Sequence, residues 1–191
     1  MIIKCYNTDE EYLLFLDIEF NNLDLVQYAG LLFKRIGDET YQLMRSCNIY
    51  ISSQVCYAFA NYTSITNNFL KENGMPLESA IDLIENDFLK DIPYNKLMMI
   101  SHGLKNDRVV LNKAGLNTNM KGYCTFVNAR RILERQDNLS LEAIATDAGY
   151  YLHHAHNAFN DVWAEVSIFT FLKKIEQQKG DESCSSQTLI H

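Results

Sequence analysis

The chain has 191 residues, of which 47% are hydrophobic and 21% charged, and its formal net charge is −7. This length fits one domain with a substantial buried core, and the composition is that of an ordinary globular protein. The negative charge argues against a protein that coats nucleic acid through electrostatics alone, because such binding needs an excess of lysine and arginine. A protein that holds one end of a strand is still allowed, because carboxylates that bind metal ions add to the negative count.

The cysteines and the apolar segments bear on the cellular compartment. The five cysteines are odd in number and show no Cys-x-x-Cys or Cys/His ligand spacing, which predicts a reduced protein with neither a zinc site nor a disulfide framework. The N-terminal residues contain no apolar stretch of signal-peptide length, and nowhere is there a run of about 18 apolar residues. We therefore expect a cytoplasmic protein that does not contact a membrane.

The first part of the chain contains three predicted strands, at residues 12–16, 25–33 and 41–51. The connections between them are short, and Gly37-Asp38-Glu39 has the composition of a turn. Each strand segment is rich in aliphatic and aromatic residues, as strands of a buried sheet are. Three strands joined in this way predict an antiparallel meander.

Helices and strands alternate in the remainder of the chain. Helices are predicted at residues 64–71, 76–88, 104–114, 128–135, 141–145 and 157–174, and strands at 97–100 and 123–127. The Asn73-Gly74 pair is a helix-end signal and Pro76 a helix-start signal. This order predicts an α/β fold with a mixed five-stranded sheet flanked by helices. We expect one domain over residues 1–176 and a polar, flexible C-terminal tail over residues 177–191.

Two carboxylates follow the first predicted strand. Asp17 and Glu19 are two residues apart, so both side chains leave the same face of an extended strand. Two like charges on one face are unfavourable unless a cation lies between them, and a divalent cation with oxygen ligands is the usual solution. The alternative is an acidic pair on the protein surface at the end of a strand.

A third carboxylate, Asp107, begins the helix that follows the predicted strand at residues 97–100. Ligand sites of α/β proteins open at this edge of the sheet, although an aspartate in a first helical turn also complements the helix dipole. The surrounding segment, residues 101–135, carries seven basic and two acidic side chains. This local excess allows contacts to phosphate groups, and a solvated helix face is the alternative.

His156 and Asp161 lie at the start of the last predicted helix. Residues five apart differ by about 140° around a helix, so the two side chains cannot share one helical face. If His156 belongs to the segment that enters the helix and Asp161 to its first turns, both can approach one site from different sides. The neighbouring His153 and His154 are alternatives to His156, and only the spacing distinguishes them.

Together these segments resemble the DEDDh group of 3′–5′ exonucleases, over roughly residues 12–172. The first motif of that group matches LLFLDIEF, the second ISHGLKNDRVVL and the third HNAFNDVWAEVSIF. Weaker similarity covers YTSITNNFL and LSLEAIATDAGY. The resemblance implies a ribonuclease-H-like fold and an enzyme that hydrolyses the terminal phosphodiester of DNA or RNA, releasing nucleoside 5′-monophosphates.

The resemblance also implies a role for each of the five residues. Asp17, Glu19, Asp107 and Asp161 would hold two divalent cations, Mg²⁺ or Mn²⁺, and His156 would be the general base of a two-metal mechanism. The partner would be the 3′ end of a nucleic acid. The chain could act as a homodimer or within a larger nucleic-acid-processing complex.

Four further residues are candidates for substrate binding: Phe20, Tyr62, Ile65 and Lys105. Aromatic side chains stack on bases of any sequence, although aromatic residues at such positions are more often part of the core. The chain departs from the family at two places. Phe20 stands where many members have threonine, and the second motif reads His102-Gly103 with Asn106 where His-Asn and an aromatic residue are common.

Two other functions remain open from the sequence. A non-catalytic subunit that keeps the fold and binds 3′ ends would bind strands without releasing product. An unrelated metallophosphoesterase would hydrolyse a simple phosphomonoester, and a structural domain with coincidental acids would act on neither substrate.

Overall fold

A mixed six-stranded sheet organises the part of the chain that the computed structural model describes, residues 1–152 and 156–187, with side chains up to residue 180. The strands are β1 (Ile2–Lys4), β2 (Tyr12–Asn21), β3 (Asp24–Gly37), β4 (Thr40–Tyr50), β5 (Leu97–Ser101) and β6 (Lys121–Cys124). Their spatial order is β1-β4-β3-β2-β5-β6. The helices are α1 (Tyr57–Thr63), α2 (Asn67–Asn73), α3 (Leu77–Asp82), α4 (Leu104–Ala114), α5 (Thr125–Ile132), α6 (Leu141–Asp147) and α7 (Ala158–Gln187). A π-helical turn, Leu83–Phe88, continues α3, and a 3₁₀ turn, Tyr94–Lys96, precedes β5.

The predicted antiparallel meander is confirmed. Strand β3 pairs antiparallel with both β2 and β4, while β5 runs parallel to β2 on the other side. The mixed sheet flanked by helices is also confirmed, with six strands where five were predicted. The additional strand, β1, has three residues that pair with the edge of β4, and so short a segment has no detectable period.

Alternation along β2 divides the core into two layers. Leu14 and Leu16 pack on one face of the sheet against α4 and the π-helical turn. Leu13 and Phe15 pack on the other face against α7, where the Phe15 ring contacts Phe169 edge to face. Because side chains alternate along a strand, Asp17 and Glu19 continue the series that faces α7. The hydrophobic pattern of β2 therefore fixes the direction in which its two carboxylates point.

Some of the predicted boundaries were wrong, and one helix was not predicted. The strand predicted at residues 123–127 ends at Cys124, because its partner β5 ends at the paired residue Ser101 and α5 begins immediately afterwards. Helix α1 was not predicted, because it buries only Thr63 and so has no apolar stripe. The helix predicted to end at Lys174 continues to Gln187.

The C-terminal part of α7 lies in the segment that was expected to be a flexible tail. Helical backbone through Gln187 extends beyond residue 176, where the sequence is polar and gives no amphipathic pattern. Lys179 connects this region to the rest of the chain, since its Nζ donates to the Ile132 carbonyl at 3.0 Å and to Glu134 Oε1 at 2.5 Å. None of the described helices has the length and apolar character of a membrane span.

Candidate active site

Asp17 and Glu19 lie in the second half of β2, beyond the residues of that strand that pair with β5. They pair with Ala29 and Gln27 of β3, and the register shifts immediately after Glu19. A β-bulge of this kind re-aims the side chains around it. The spacing of two, which predicted that both carboxylates leave one face, is realised here on the face that α7 covers.

Asp161, in the first turn of α7, completes a group of three carboxylates. One oxygen each from Asp17, Glu19 and Asp161 lies within 4.8 Å of the others. The Oδ1 atom of Asp161 is buried and has no hydrogen-bond partner among the described residues. An unpartnered buried carboxylate oxygen facing two other acids fits a divalent cation, which takes oxygen ligands.

Asp107, in the first turn of α4, lines the same cleft but is outside that group of three. It is 7% exposed, and its Oδ2 accepts a 2.5 Å hydrogen bond from the Ser101 hydroxyl at the end of β5. Burial raises the pKa of Asp107, and this hydrogen bond opposes the shift. The hydrogen bond from Ser101 thus holds the Asp107 carboxylate at the wall of the cleft, near the start of α4.

The electrostatics of the four acids favour a cation. Burial, followed by the charges of Glu165, Asp161, Glu19 and Asp107, raises the pKa of Asp17 well above its usual range. Burial and the Asp161 charge raise the pKa of Glu19 to about 7. Burial raises the pKa of Asp161 to about 6, against the effect of the hydrogen bond from the His156 backbone. Each shift means that ionisation is costly without a positive partner.

His156 reaches the cleft from the segment that precedes α7. Its backbone N–H donates to Asp161 Oδ2 at 3.0 Å, and its φ of 68° lies in the left-handed region. The imidazole lies against the Tyr62 ring, with the two ring centroids 3.7 Å apart. This places His156 and Asp161 at one site from different sides, as their spacing predicted. The alternatives His153 and His154 lie outside the described residues.

The cleft has a volume of about 480 Å³. The four predicted acids and His156 line it, together with Phe20 and Tyr62 from the predicted substrate contacts. Ile65 is not brought into the cleft, because it is 3% exposed and packs with Val26, Val55 and Leu70. Residues 140–142 and Leu152 form another part of the wall.

Lys105 lies in the exposed first turn of α4, two residues before Asp107. Most of the other basic residues of the 101–135 segment make local contacts. Four of them pair with acids: Lys113 with Asp24, Lys121 with Glu10, Arg131 with Glu176 and Arg135 with Asp147. The predicted positive excess is therefore largely neutralised. Arg108, which is adjacent to Asp107, donates from its Nη2 to the Met120 carbonyl at 2.6 Å, while Lys105 is exposed.

Glu165 is a fifth acid that the sequence analysis did not identify. It is 0% exposed, and its Oε1 accepts a 2.5 Å hydrogen bond from the backbone N–H of His102. Burial and the Asp107 charge raise the pKa of Glu165 well above its usual range. Its position one helical turn after Asp161, on the same face of α7, was the available sequence signal.

Gln27 is a second residue that was missed. It is completely buried on β3, its Oε1 accepts a 3.2 Å hydrogen bond from the backbone N–H of Ala158, and its Nε2 donates to Asn48 at 2.8 Å. The first N–H groups of a helix have no partner within the helix. Gln27 therefore fixes the start of α7, which carries Asp161, against β3.

Solved structures give the relationship of this fold to others. The nuclease domain of 3′hExo, a DEDDh family member bound to rAMP, matches with a TM-score of 0.70 and 12% identity, over 87% of this chain and 94% of that one. A 3′-exonuclease in a study of 3′-end-specific recognition of a histone mRNA stem-loop gives 0.69 and 10%, over 88% and 84%. Exonuclease X in complex with 5′-overhanging duplex DNA gives 0.62 and 18%, over 88% and 93%.

By sequence, the chain matches no protein-family model and no curated protein. At the identities above, the structural comparison establishes the fold. The chain has the α/β fold of the DEDDh 3′-exonucleases, and the ribonuclease-H-like architecture expected from the motifs is confirmed.

Proposed function

We propose that this chain is a metal-dependent 3′–5′ exonuclease, which hydrolyses the terminal phosphodiester of DNA or RNA and releases nucleoside 5′-monophosphates. One observation carries the proposal. Three carboxylates of Asp17, Glu19 and Asp161 converge within 4.8 Å in a cleft that Asp107 and His156 also line. The fold alone would not justify the proposal, because one fold supports many functions.

The four aspartate and glutamate side chains of the cleft would hold two divalent cations, Mg²⁺ or Mn²⁺. When bound, such ions activate water and stabilise the charge that develops on the phosphate. The carboxylates of Asp17, Glu19 and Asp161 supply the negative charge that the cations need, and their raised pKa values show that this charge is poorly compensated by the protein itself.

His156 is the proton acceptor in this proposal. Its ring borders the cleft, and its backbone is tied to Asp161, so the base and a cation ligand are held in one local unit. A neutral imidazole can accept the proton of the attacking water and later release it to solvent. The hydrogen bond to Asp161 is made by the backbone N–H of His156 and not by its ring.

The proposed substrate follows from the shape of the cleft and from the ligands of similar structures. Those structures contain rAMP and duplex DNA or concern an mRNA stem-loop, so a nucleic-acid 3′ end is the substrate class we propose. Phe20 and Tyr62 supply aromatic surface at the cleft, which suits stacking on a terminal base. Lys105, which is exposed in the first turn of α4, would contact a backbone phosphate outside the cleft.

The direct test uses 5′-labelled DNA and RNA oligonucleotides of one sequence, incubated with the protein and Mn²⁺. We expect a ladder that shortens from the 3′ end and that disappears in His156→Ala. Asp38→Asn, an exposed acid in the β3–β4 turn, is the matched control and should behave like the wild-type protein. Metal-dependent binding of both oligonucleotides without any shortening would favour the non-catalytic end-binding function.

A further inference from the structure

The rings of Tyr62 and His156 form a close contact at the mouth of the cleft. Their centroids are 3.7 Å apart and their planes are tilted by 31°, so the rings lie largely face to face. Tyr62 is nevertheless 62% exposed, which leaves much of its ring surface in solvent. Burial and the charges of Glu19 and Asp161 raise the pKa of Tyr62, in agreement with its position beside the acids.

Within residues 1–152 and 156–187, the described contacts of His156 are a backbone hydrogen bond and the ring contact with Tyr62. The residue lies outside regular secondary structure with a left-handed backbone, and its hydrogen bond to Asp161 engages the backbone N–H rather than the ring. Within residues 1–152 and 156–187, the Tyr62 ring is the aromatic group in contact with it. The Tyr62 ring therefore limits rotation about the side-chain bonds of His156.

Tyr62 itself belongs to a well-fixed corner of the chain. The neighbouring Thr63 is buried, its hydroxyl donates to the Phe59 carbonyl at 3.0 Å, and it accepts from the backbone N–H of Ile65 at 3.1 Å. Ser64 then turns the chain with a left-handed φ of 64°. Helix α1 is short and mostly exposed, but these bonds fix its last turn, where Tyr62 lies.

We propose that Tyr62 is a positioning residue that orients the His156 imidazole through ring stacking. This inference rests on the proposed function, in which His156 accepts a proton from water at the cations. A general base must keep its nitrogen within hydrogen-bond reach of the proton it takes. An imidazole that rotates freely at a left-handed backbone position spends less time in that geometry.

The ring contact is tested by NMR on protein with isotope-labelled histidine, with the His156 signals assigned by their loss in His156→Gln. Protons above the face of an aromatic ring are shifted upfield. We expect upfield-shifted His156 ring protons in the wild-type protein, loss of the shift in Tyr62→Ala and its return in Tyr62→Phe. Unshifted signals in the wild-type protein, or a shift that survives in Tyr62→Ala, would overturn the proposal.

Kinetics then separate positioning from base stacking. General-base catalysis contributes roughly 10²–10⁴-fold, and we expect Tyr62→Ala to lose about 10–100-fold of that in kcat, with a smaller change in KM. Tyr62→Phe should restore most of the lost kcat. Tyr57→Ala, on the same helix and 82% exposed, is the control and should match the wild-type protein.

A rise in KM alone in Tyr62→Ala would overturn positioning and assign the ring to substrate binding. A wild-type protein without nuclease activity would overturn the proposed function instead. In that case the NMR comparison still decides whether Tyr62 orients His156, because it requires neither substrate nor turnover.

Discussion

The backbone N–H of His156 donates a 3.0 Å hydrogen bond to Oδ2 of Asp161. This bond explains why a spacing of five residues brings the two side chains to one site, although they cannot share a helical face. The chain turns through the left-handed conformation of His156 and enters α7 three residues before Asp161. The proposed proton acceptor and a proposed cation ligand are thereby joined through a single short segment.

Replacing Asp17 with asparagine should increase stability and abolish activity. The Asp17 carboxylate is enclosed among other acids, so its ionised form is unfavourable without cations. A neutral side chain of the same shape removes that cost, and we expect the metal-free variant to gain about 0.5–2 kcal/mol. Urea unfolding in chelator measures the gain, and Mn²⁺ titration calorimetry measures the expected loss of binding. A variant that is less stable than the wild-type protein without metal would contradict this electrostatic explanation.

The stability of the metal-free protein should fall as pH rises. The pKa of Glu19 is raised from 4.5 to about 7 and that of Asp161 from 3.8 to about 6. A raised pKa means that the folded protein binds these protons more tightly than the unfolded chain does. These two carboxyl groups stabilise the fold fully at pH values below their pKa in the unfolded chain. That stabilisation is lost as pH rises through their folded-state pKa values of about 6 and about 7.

Thermal unfolding in chelator at a series of pH values tests this pH dependence. The midpoint temperature of unfolding should fall as pH rises to about 7. Above that pH, Glu19 and Asp161 should contribute no further decrease. Added Mg²⁺ should raise the midpoint more at pH 8 than at pH 5, because cations and protons compete for the same carboxylates. An equal Mg²⁺ shift at both pH values would show that the cation binds elsewhere.

Glu165 should tolerate glutamine and not alanine. Alanine leaves the His102 backbone N–H without its acceptor, and a buried group left unpaired costs about 1–3 kcal/mol. Glutamine keeps an oxygen acceptor and removes the ionised form that burial and the Asp107 charge disfavour by raising the pKa of Glu165. Chemical denaturation of both variants gives the comparison. Similar destabilisation by both substitutions would show that the charge of Glu165, rather than its hydrogen bond, matters.

Gln27→Leu should destabilise the protein and disturb the site. The substitution leaves the buried Ala158 N–H without its acceptor, and we expect a loss of about 1–3 kcal/mol from that unpaired group. It also removes the hydrogen bond to the exposed Asn48. Mn²⁺ affinity should fall as well, because the first turn of α7 carries Asp161. Gln42→Leu, on the exposed side of β4, is the matched control. Unchanged Mn²⁺ affinity in Gln27→Leu would show that α7 is positioned without this bond.

The cleft residues were predictable because their spacing follows local geometry. Asp17 and Glu19 continue the period-two pattern of a buried strand, and Asp107 lies in the first turn of the helix after a strand. Glu165 and Gln27 were not predicted, because a buried polar residue within an apolar element is recognised only from its partner. Those partners, His102 and Ala158, are 63 and 131 residues away in the chain.

The elements that were missed have a common cause. Strand β1 and helix α1 each bury very few residues, so neither carries a hydrophobic period that the sequence could reveal. Ile65 was expected to contact substrate from its place in a family-like segment. In the structure the Ile65 side chain packs in the cluster with Val26. Residue 64 reverses the chain, so side chains on either side of that turn point in different directions.

The identity of the first product tests the central claim most directly. A strand with an unlabelled 5′ end and a labelled 3′-terminal nucleotide is incubated with the protein and Mg²⁺, and the label is followed by chromatography during the first turnovers. We expect all released label to be nucleoside 5′-monophosphate and none to be released by His156→Ala. Labelled oligonucleotides from internal cleavage, or no released label while the strand remains bound, would contradict that claim.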